Sequence, residues 1–242
     1  MVLGAPWRDA VIKHMEPLTP YWPWSAASDV RPGDGVLVVF ATEPRLVWRQ
    51  LARVGPDGHI GTAIGELDSS WHVDPAILYP GDIATFDGGP VVIEDDDADE
   101  FMAALDDIAR DGSDRFGHTS AAAARALLES AGRCESCGSQ FDLMTDGAGD
   151  DIVIHTTDVQ DGSDWPAALC DPCAAAMCDG GYGSFLDFQF DRHPTCPRCG
   201  GHRTLCVHYG MPSGPEYRPW VTLGGCVVDR KSWKCESCSH RW

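Results

Sequence analysis

Cys134-Glu135-Ser136-Cys137, Cys170-Asp171-Pro172-Cys173, Cys196-Pro197-Arg198-Cys199 and Cys235-Glu236-Ser237-Cys238 are four Cys-x-x-Cys pairs in the second half of the chain. Each such turn aims two thiolates at one point, and two turns together close a tetrahedron around Zn²⁺. Taken in order, the pairs predict two structural Zn²⁺ sites. One comprises Cys134, Cys137, Cys170 and Cys173; the other comprises Cys196, Cys199, Cys235 and Cys238. An interleaved pairing is open at this stage. Four Cys ligands leave no open coordination position, so the expected role of the metal is folding rather than catalysis.

The totals agree with this reading. Eleven cysteines in 242 residues could suggest a secreted disulfide framework, but the number is odd and eight of them fall in the pairs. The start of the chain, Met1 to Pro6, lacks a basic region followed by an apolar stretch. No run of 18 apolar residues offers a membrane span. A cytoplasmic location without a membrane partner is therefore expected, where thiols stay reduced. The net charge is −19. Nucleic-acid affinity comes largely from Lys and Arg on phosphates, so this charge disfavours a nucleic-acid partner.

Upstream of the pairs, residues 1–30 are rich in Trp and Pro (Trp7, Pro17, Pro20, Trp22, Pro23, Trp24). A helix from Trp7 to Met15, ended by Pro17, fits an N-terminal arm packed over the next domain. Residues 31–95 read as a small β-domain, a barrel or curled sheet. Its strands are Val36–Phe40, Leu46–Val54, His59–Glu66 and Ile83–Phe86, with Val91–Glu94 extending the last, and Gly, Pro and Asp fill its turns. The acidic run Glu94 to Glu100 opens a helix whose apolar stripe is Phe101, Ala104, Leu105, Ile108 and Ala109. A second helix is expected from Ser120 to Ala131, capped by Thr119 or Ser120 and ended by Gly132.

Arg133 to Met177 runs from a Cys-x-x-Cys-Gly knuckle through a Gly/Asp-rich loop to the strand Ile152–His155. A polar loop then leads to Cys170-Asp-Pro-Cys173 at the start of a short helix, Ala174 to Cys178. That order resembles a treble-clef finger and, within that class, the zinc-bearing HNH nucleases. The resemblance implies a structural zinc on the two Cys pairs and a strand-end His, matched by His155, acting as general base. The family's Asn position holds Trp165-Pro166, and its metal-binding His position holds Ala174. Asp151, Asp158, Asp161 and Asp164 are candidate substitute carboxylates.

His193 to Trp242 resembles C-terminal zinc ribbons of uncharacterised bacterial proteins. The matching residues are Cys196-Pro-Arg-Cys199-Gly200-Gly201, Gly224-Gly225-Cys226 and Trp233-Lys-Cys235. Strands are expected at Thr204–Tyr209 and Leu223–Val228, joined by a Pro-rich linker from Gly210 to Trp220. Tyr209, Tyr217 and Trp220, with Arg203 and Arg218, could stack on and contact single-stranded bases; packing over a small core is the plainer reading. Of the remaining cysteines, Cys178, Cys206 and Cys226, the last two are expected to be buried as small hydrophobes.

The expected architecture is α+β. It comprises an N-terminal arm and barrel-like β-domain (1–95), a helical linker (96–132), a treble-clef module (133–190) and a zinc ribbon (191–242). The expected function is a non-catalytic intracellular zinc-binding protein that presents surfaces to another macromolecule, in the first instance another protein. Two alternatives stay open: a divergent HNH-type metal-dependent endonuclease using His155, and nucleic-acid binding through the ribbon.

Overall fold

A computed structural model of the chain describes residues 7–15, 31, 35–53, 70–72, 93, 97–101, 103, 115–145, 147–210 and 218–242. The expected Trp-Pro arm beyond residue 15, the strands at 59–66 and 83–86, the extension at 91–94 apart from residue 93, and the linker at 211–217 lie outside these residues. So does most of the helix stripe after Phe101; residues 97–101 are helical and Phe101 is buried.

The fold is α+β. Helix α1 (Trp7–Met15) is followed by strands β1 (Gly35–Phe40), β2 (Leu46–Arg53) and β3 (Ser70–His72), which form an antiparallel sheet in that order. Among the described residues this sheet has three strands and does not close into a barrel. Helix α2 (Ser120–Glu129) follows, then a hairpin of β4 (Ile152–His155) and β5 (Ala167–Cys170). Helices α3 (Asp171–Asp179) and α4 (Phe185–Asp191) come next. The chain ends in a sheet of order β7-β6-β8, from β6 (Thr204–Tyr209), β7 (Val221–Gly225) and β8 (Trp233–Cys235). No helix among the described residues is long and apolar enough to cross a membrane.

Helix α2 forms where the sequence is richest in alanine, the best helix former. Thr119 accepts from the Ala122 N–H at 3.2 Å and caps its start. Ala131 and Gly132 at φ 50° and 74° end it in the left-handed region. The helix lies centrally: Ala121, Ala124, Leu127 and Leu128 are buried against one continuous cluster. That cluster takes Val11 and Ile12 from α1, Phe40 and Leu46 from the first sheet, Ile152 and Leu169 from the hairpin, and Phe185 and Trp220 from the C-terminal part. The Glu43 N–H donates to Ser120 Oγ at 2.7 Å and ties the β1–β2 turn to the start of α2. Helix α1 passes so close to Gly149 that a Cβ there would sit 2.9 Å from Arg8 Cδ. Arg8 also donates to the Gly149 carbonyl at 2.8 Å.

In the last sheet, β6 pairs antiparallel with β8 and parallel with β7. A parallel neighbour requires the chain to return to its starting side between Tyr209 and Val221. A Cβ at Gly224 would lie 2.4 Å from the Tyr209 ring, so only glycine fits in β7 there. β7 ends at Gly225, earlier than expected, where φ reaches 91°. The chain leaves the sheet at that point. Cys226 is therefore exposed and Cys206 half-buried, a correction to the expectation that both are buried.

Candidate metal centres

The Cys-x-x-Cys pairs are built by two local structures. Three of them are the same turn. The N–H of the fourth residue after the first Cys returns to that Cys's carbonyl: Gly138 to Cys134 at 2.8 Å, Gly200 to Cys196 at 2.9 Å and Ser239 to Cys235 at 3.0 Å. The turn requires a left-handed residue there, and φ is 72°, 72° and 56° respectively. Gly supplies this conformation without steric cost, whereas Ser239 adopts it with a Cβ in place. The fourth pair is a helix start: Cys170 is the N-cap of α3, and Pro172 occupies its first turn.

Two groups of four cysteines result, each positioned to hold a metal ion. Cys134, Cys137, Cys170 and Cys173 form one, and Cys196, Cys199, Cys235 and Cys238 form the other; within each, the sulfurs lie within 4.8 Å of one another. The in-order pairing is therefore the one the fold adopts. Sγ atoms are 3.8 Å apart for Cys137–Cys170, 3.7 Å for Cys196–Cys238 and 3.6 Å for Cys199–Cys235. A tetrahedron with metal–sulfur bonds of about 2.3 Å has edges of about 3.8 Å, so the tetrads fit a metal of that size.

Within each tetrad the sulfurs and nearby N–H and O–H groups shift the thiols in opposite directions. Burial and the neighbouring sulfurs push Cys173 up to about 12. At Cys137 burial acts in the same direction but is outweighed by Ser139, whose hydroxyl lies 3.0 Å away, and the thiol falls to about 6. At Cys199 the Gly201 N–H favours the thiolate, yet the three other sulfurs raise it to about 12. The Cys238 N–H helps bring Cys235 down to about 7. A divalent cation resolves this mutual repulsion by displacing the thiol protons.

His155 ends β4, as its place after the apolar strand suggested. Its Nε2 lies 2.9 Å from Oδ2 of buried Asp164. The other oxygen of Asp164 accepts from the N–H groups of Trp165 at 2.7 Å and Phe185 at 2.8 Å, and from Ser184 Oγ at 3.1 Å. Burial works against ionisation of Asp164, but His155 and these donors hold its carboxyl at about 2. An ionised carboxylate only accepts, so His155 Nε2 donates to it. Of the four candidate carboxylates, Asp164 is the one that meets His155. Asp158 instead faces the exposed His118 at 3.3 Å, and Asp161 accepts from the Ser163 N–H. His118 also lies 2.8 Å from Thr156 Oγ1. No sequence pattern marked His118; it is brought there by the Gly117 N–H bond to the Thr157 carbonyl at 2.7 Å. Trp165 packs under the Arg115 guanidinium, 4.2 Å from the ring centroid.

Two residues considered for base contacts point elsewhere. Arg218 donates to the Glu129 carbonyl at 2.8 Å and to the Glu135 carboxylate. Trp220 is buried edge-on against Phe185, with centroids 5.3 Å apart. Glu129 sits among Arg115, Arg125 and Arg218. Burial alone would raise it, but Arg115 and Arg125 hold its carboxyl below the usual range. Glu135, in the first knuckle, is pushed to about 7 by burial, which Arg218 only partly offsets. Arg203 remains exposed, with its guanidinium over the Phe190 ring and 3.8 Å from Asp187.

Among the described residues, the two tetrads are the groups of Cys, His, Asp and Glu that converge on a metal-sized point. No protein-family model, curated protein or solved structure matches this chain.

Proposed function

We propose that this chain is a non-catalytic, intracellular zinc-binding protein whose two Zn²⁺ ions hold surfaces in place for another macromolecule, in the first instance another protein. In this reading the first tetrad belongs to a treble-clef module of HNH-like layout and the second to a zinc ribbon. The observation that carries it is the closure of both tetrads. All eight paired thiols converge four by four at tetrahedral spacing, and four thiolates leave a Zn²⁺ ion no position for substrate or water. His155 is tied to Asp164, which at the same time binds the first turn of α4, so the bond joins β4 to that helix. Phosphodiester cleavage needs a base, a metal and a charge sink together, and Trp165 and Ala174 stand where an HNH site places two of its functional groups.

The test has two arms. Elemental analysis of protein purified without chelator should give two zinc ions per chain; iron, which also accepts four thiolates, or fewer than two metals would count against the assignment. Plasmid and RNA incubated with Mg²⁺, Mn²⁺ or Ni²⁺ should stay intact. Metal-dependent cleavage that disappears in His155→Ala would overturn the non-catalytic reading in favour of a divergent nuclease.

A further inference from the structure

The cationic residues of this acidic chain are unevenly placed. Residues 191–242 carry eight of the 18 Lys and Arg but only four of the 37 Asp and Glu. Arg218 and Arg203 from this segment face Glu129, Glu135 and Asp187. Four of the others gather along β8 and the Tyr209 end of β6. The Tyr209 hydroxyl meets the Asp229 carboxylate and lies 2.8 Å from the Lys231 carbonyl. Arg241 donates to that hydroxyl at 3.2 Å, and its other nitrogen lies 3.7 Å from Asp229. Lys234 pairs with Arg241 across a β-bridge, and Arg230 lies between Asp229 and Lys231 in the chain. The cluster thus gathers Arg230, Lys231, Lys234 and Arg241 around Asp229, with Glu236 the next described acid along the chain. Immediately before it, Val227 and Val228 are 80% and 68% exposed, the most exposed large hydrophobics among the described residues.

We propose that this surface docks an acidic peptide segment carrying apolar side chains, supplied by a partner protein. The proposal rests on the interaction-module reading above and gives that partner its chemistry. Carboxylates complement the cations, and Val227 and Val228 offer the apolar contact that a purely ionic site lacks. A single-stranded nucleic acid fits less well, because its affinity needs free aromatic faces as well as cations. Here the Tyr209 ring lies beneath Arg241, His240 and Trp242 stack on each other, and Trp233 meets His193. The remaining charge of the chain also repels a long polyanion.

The experiment is fluorescence anisotropy with the full-length, zinc-loaded protein. The probes are a labelled peptide of mixed Asp, Glu and Leu, and labelled single-stranded DNA and RNA. The peptide should bind and weaken with added salt. The exposed pair Arg230→Glu/Lys231→Glu should weaken it about tenfold or more, and Val227→Ser/Val228→Ser several-fold. Zinc content reports whether each variant has kept its fold; Lys234→Glu replaces any that has not. Absence of peptide binding at low salt, binding indifferent to these substitutions, or tighter binding of either oligonucleotide overturns the proposal. The cleavage assay decides the underlying reading separately: a protein that neither cleaves nor binds the peptide loses the docking site alone, and one that binds the peptide yet cleaves loses the non-catalytic reading alone.

Discussion

The two four-cysteine centres share a ligand set and a knuckle turn but differ in what surrounds them. Cys134 and Cys173 of the first belong to the continuous hydrophobic cluster, alongside Ile152, Leu169 and Phe185. Cys196 and Cys235 of the second are equally buried yet lie outside that cluster. The C-terminal module contributes Trp220 to it, with Leu205 and Val221 packed at its margin. At the first centre a bound metal would reinforce a core that the rest of the chain also builds. At the second it would stand in for a core, because a segment of this size buries too little apolar surface to offset chain entropy. Identical coordination can therefore carry different structural responsibility.

Ligand removal tests this contrast most severely. Cys173→Ser should loosen the central cluster and lower the body's stability without unfolding it, because Val11, Phe40, Leu46 and Leu127 still bury apolar surface there. Cys199→Ser should unfold the C-terminal sheet while amide protection in β4, β5 and α2 persists. Hydrogen exchange distinguishes them; equal loss of protection across both regions in both variants would erase the difference.

The joint between the regions offers a smaller lever. Arg218 reaches from the second module to Glu129 and Glu135, two acids of the body that are mostly buried. Arg218→Ala should destabilise by about 1–2 kcal/mol at neutral pH, since Glu135, already held at about 7, takes up a proton once the guanidinium is gone and the hydrogen bonds to it and to the Glu129 carbonyl are lost. Loosening of the joint should also speed metal loss to a chelator at the second centre more than at the first. Equal acceleration at both centres would mean that the joint does not separate them.

The smallest expected effect concerns the knuckle turn. Ser239 holds the left-handed position that Gly138 and Gly200 occupy in the other two turns. Ser239→Gly should stabilise the second module by about 0.5–1 kcal/mol, the relief of strain less the added freedom of the unfolded chain. A thermal midpoint that falls would show that the Ser239 side chain makes a contact worth more than the strain it carries.

These contrasts were unequally legible in the sequence. The Cys-x-x-Cys spacing announced both tetrads, because ligand geometry is local to each pair. Trp7–Met15, Ile152–His155 and Thr204–Tyr209 follow from apolar pattern and flanking turn residues, and they form as expected. Helix α4 was not read. Phe185-Leu-Asp-Phe-Gln-Phe190 shows near-alternation of apolar residues, a strand-like pattern, and it becomes a helix because both Ser184 and Asp164 satisfy N–H groups of its first turn. The Asp164 contribution comes from 21 residues away. The roles of Arg218 and Trp220 were hidden for the same reason, since both are decided by Glu129, Glu135 and Phe185, far off in sequence. Cys226 misled because strand propensity continued through Val227 and Val228 while the backbone turned at Gly225.

The bond between His155 and Asp164 has a consequence for how this chain could be altered. It staples the neck of the loop between β4 and β5, and within that loop Gly162 has no atom within 4 Å of where a Cβ would stand. Residues beyond the neck contribute little to holding β4 against β5. A foreign segment spliced in just before Gly162, which leaves the Ser184 Oγ bond to the Ser163 carbonyl at 3.1 Å in place, should meet mainly the entropy of closing a longer loop, about 0.6 kcal/mol for each doubling of length. The molecule carries a ready port for an inserted epitope or reporter, on a loop that lies between the two Cys pairs of the first tetrad and contains none of its four ligands.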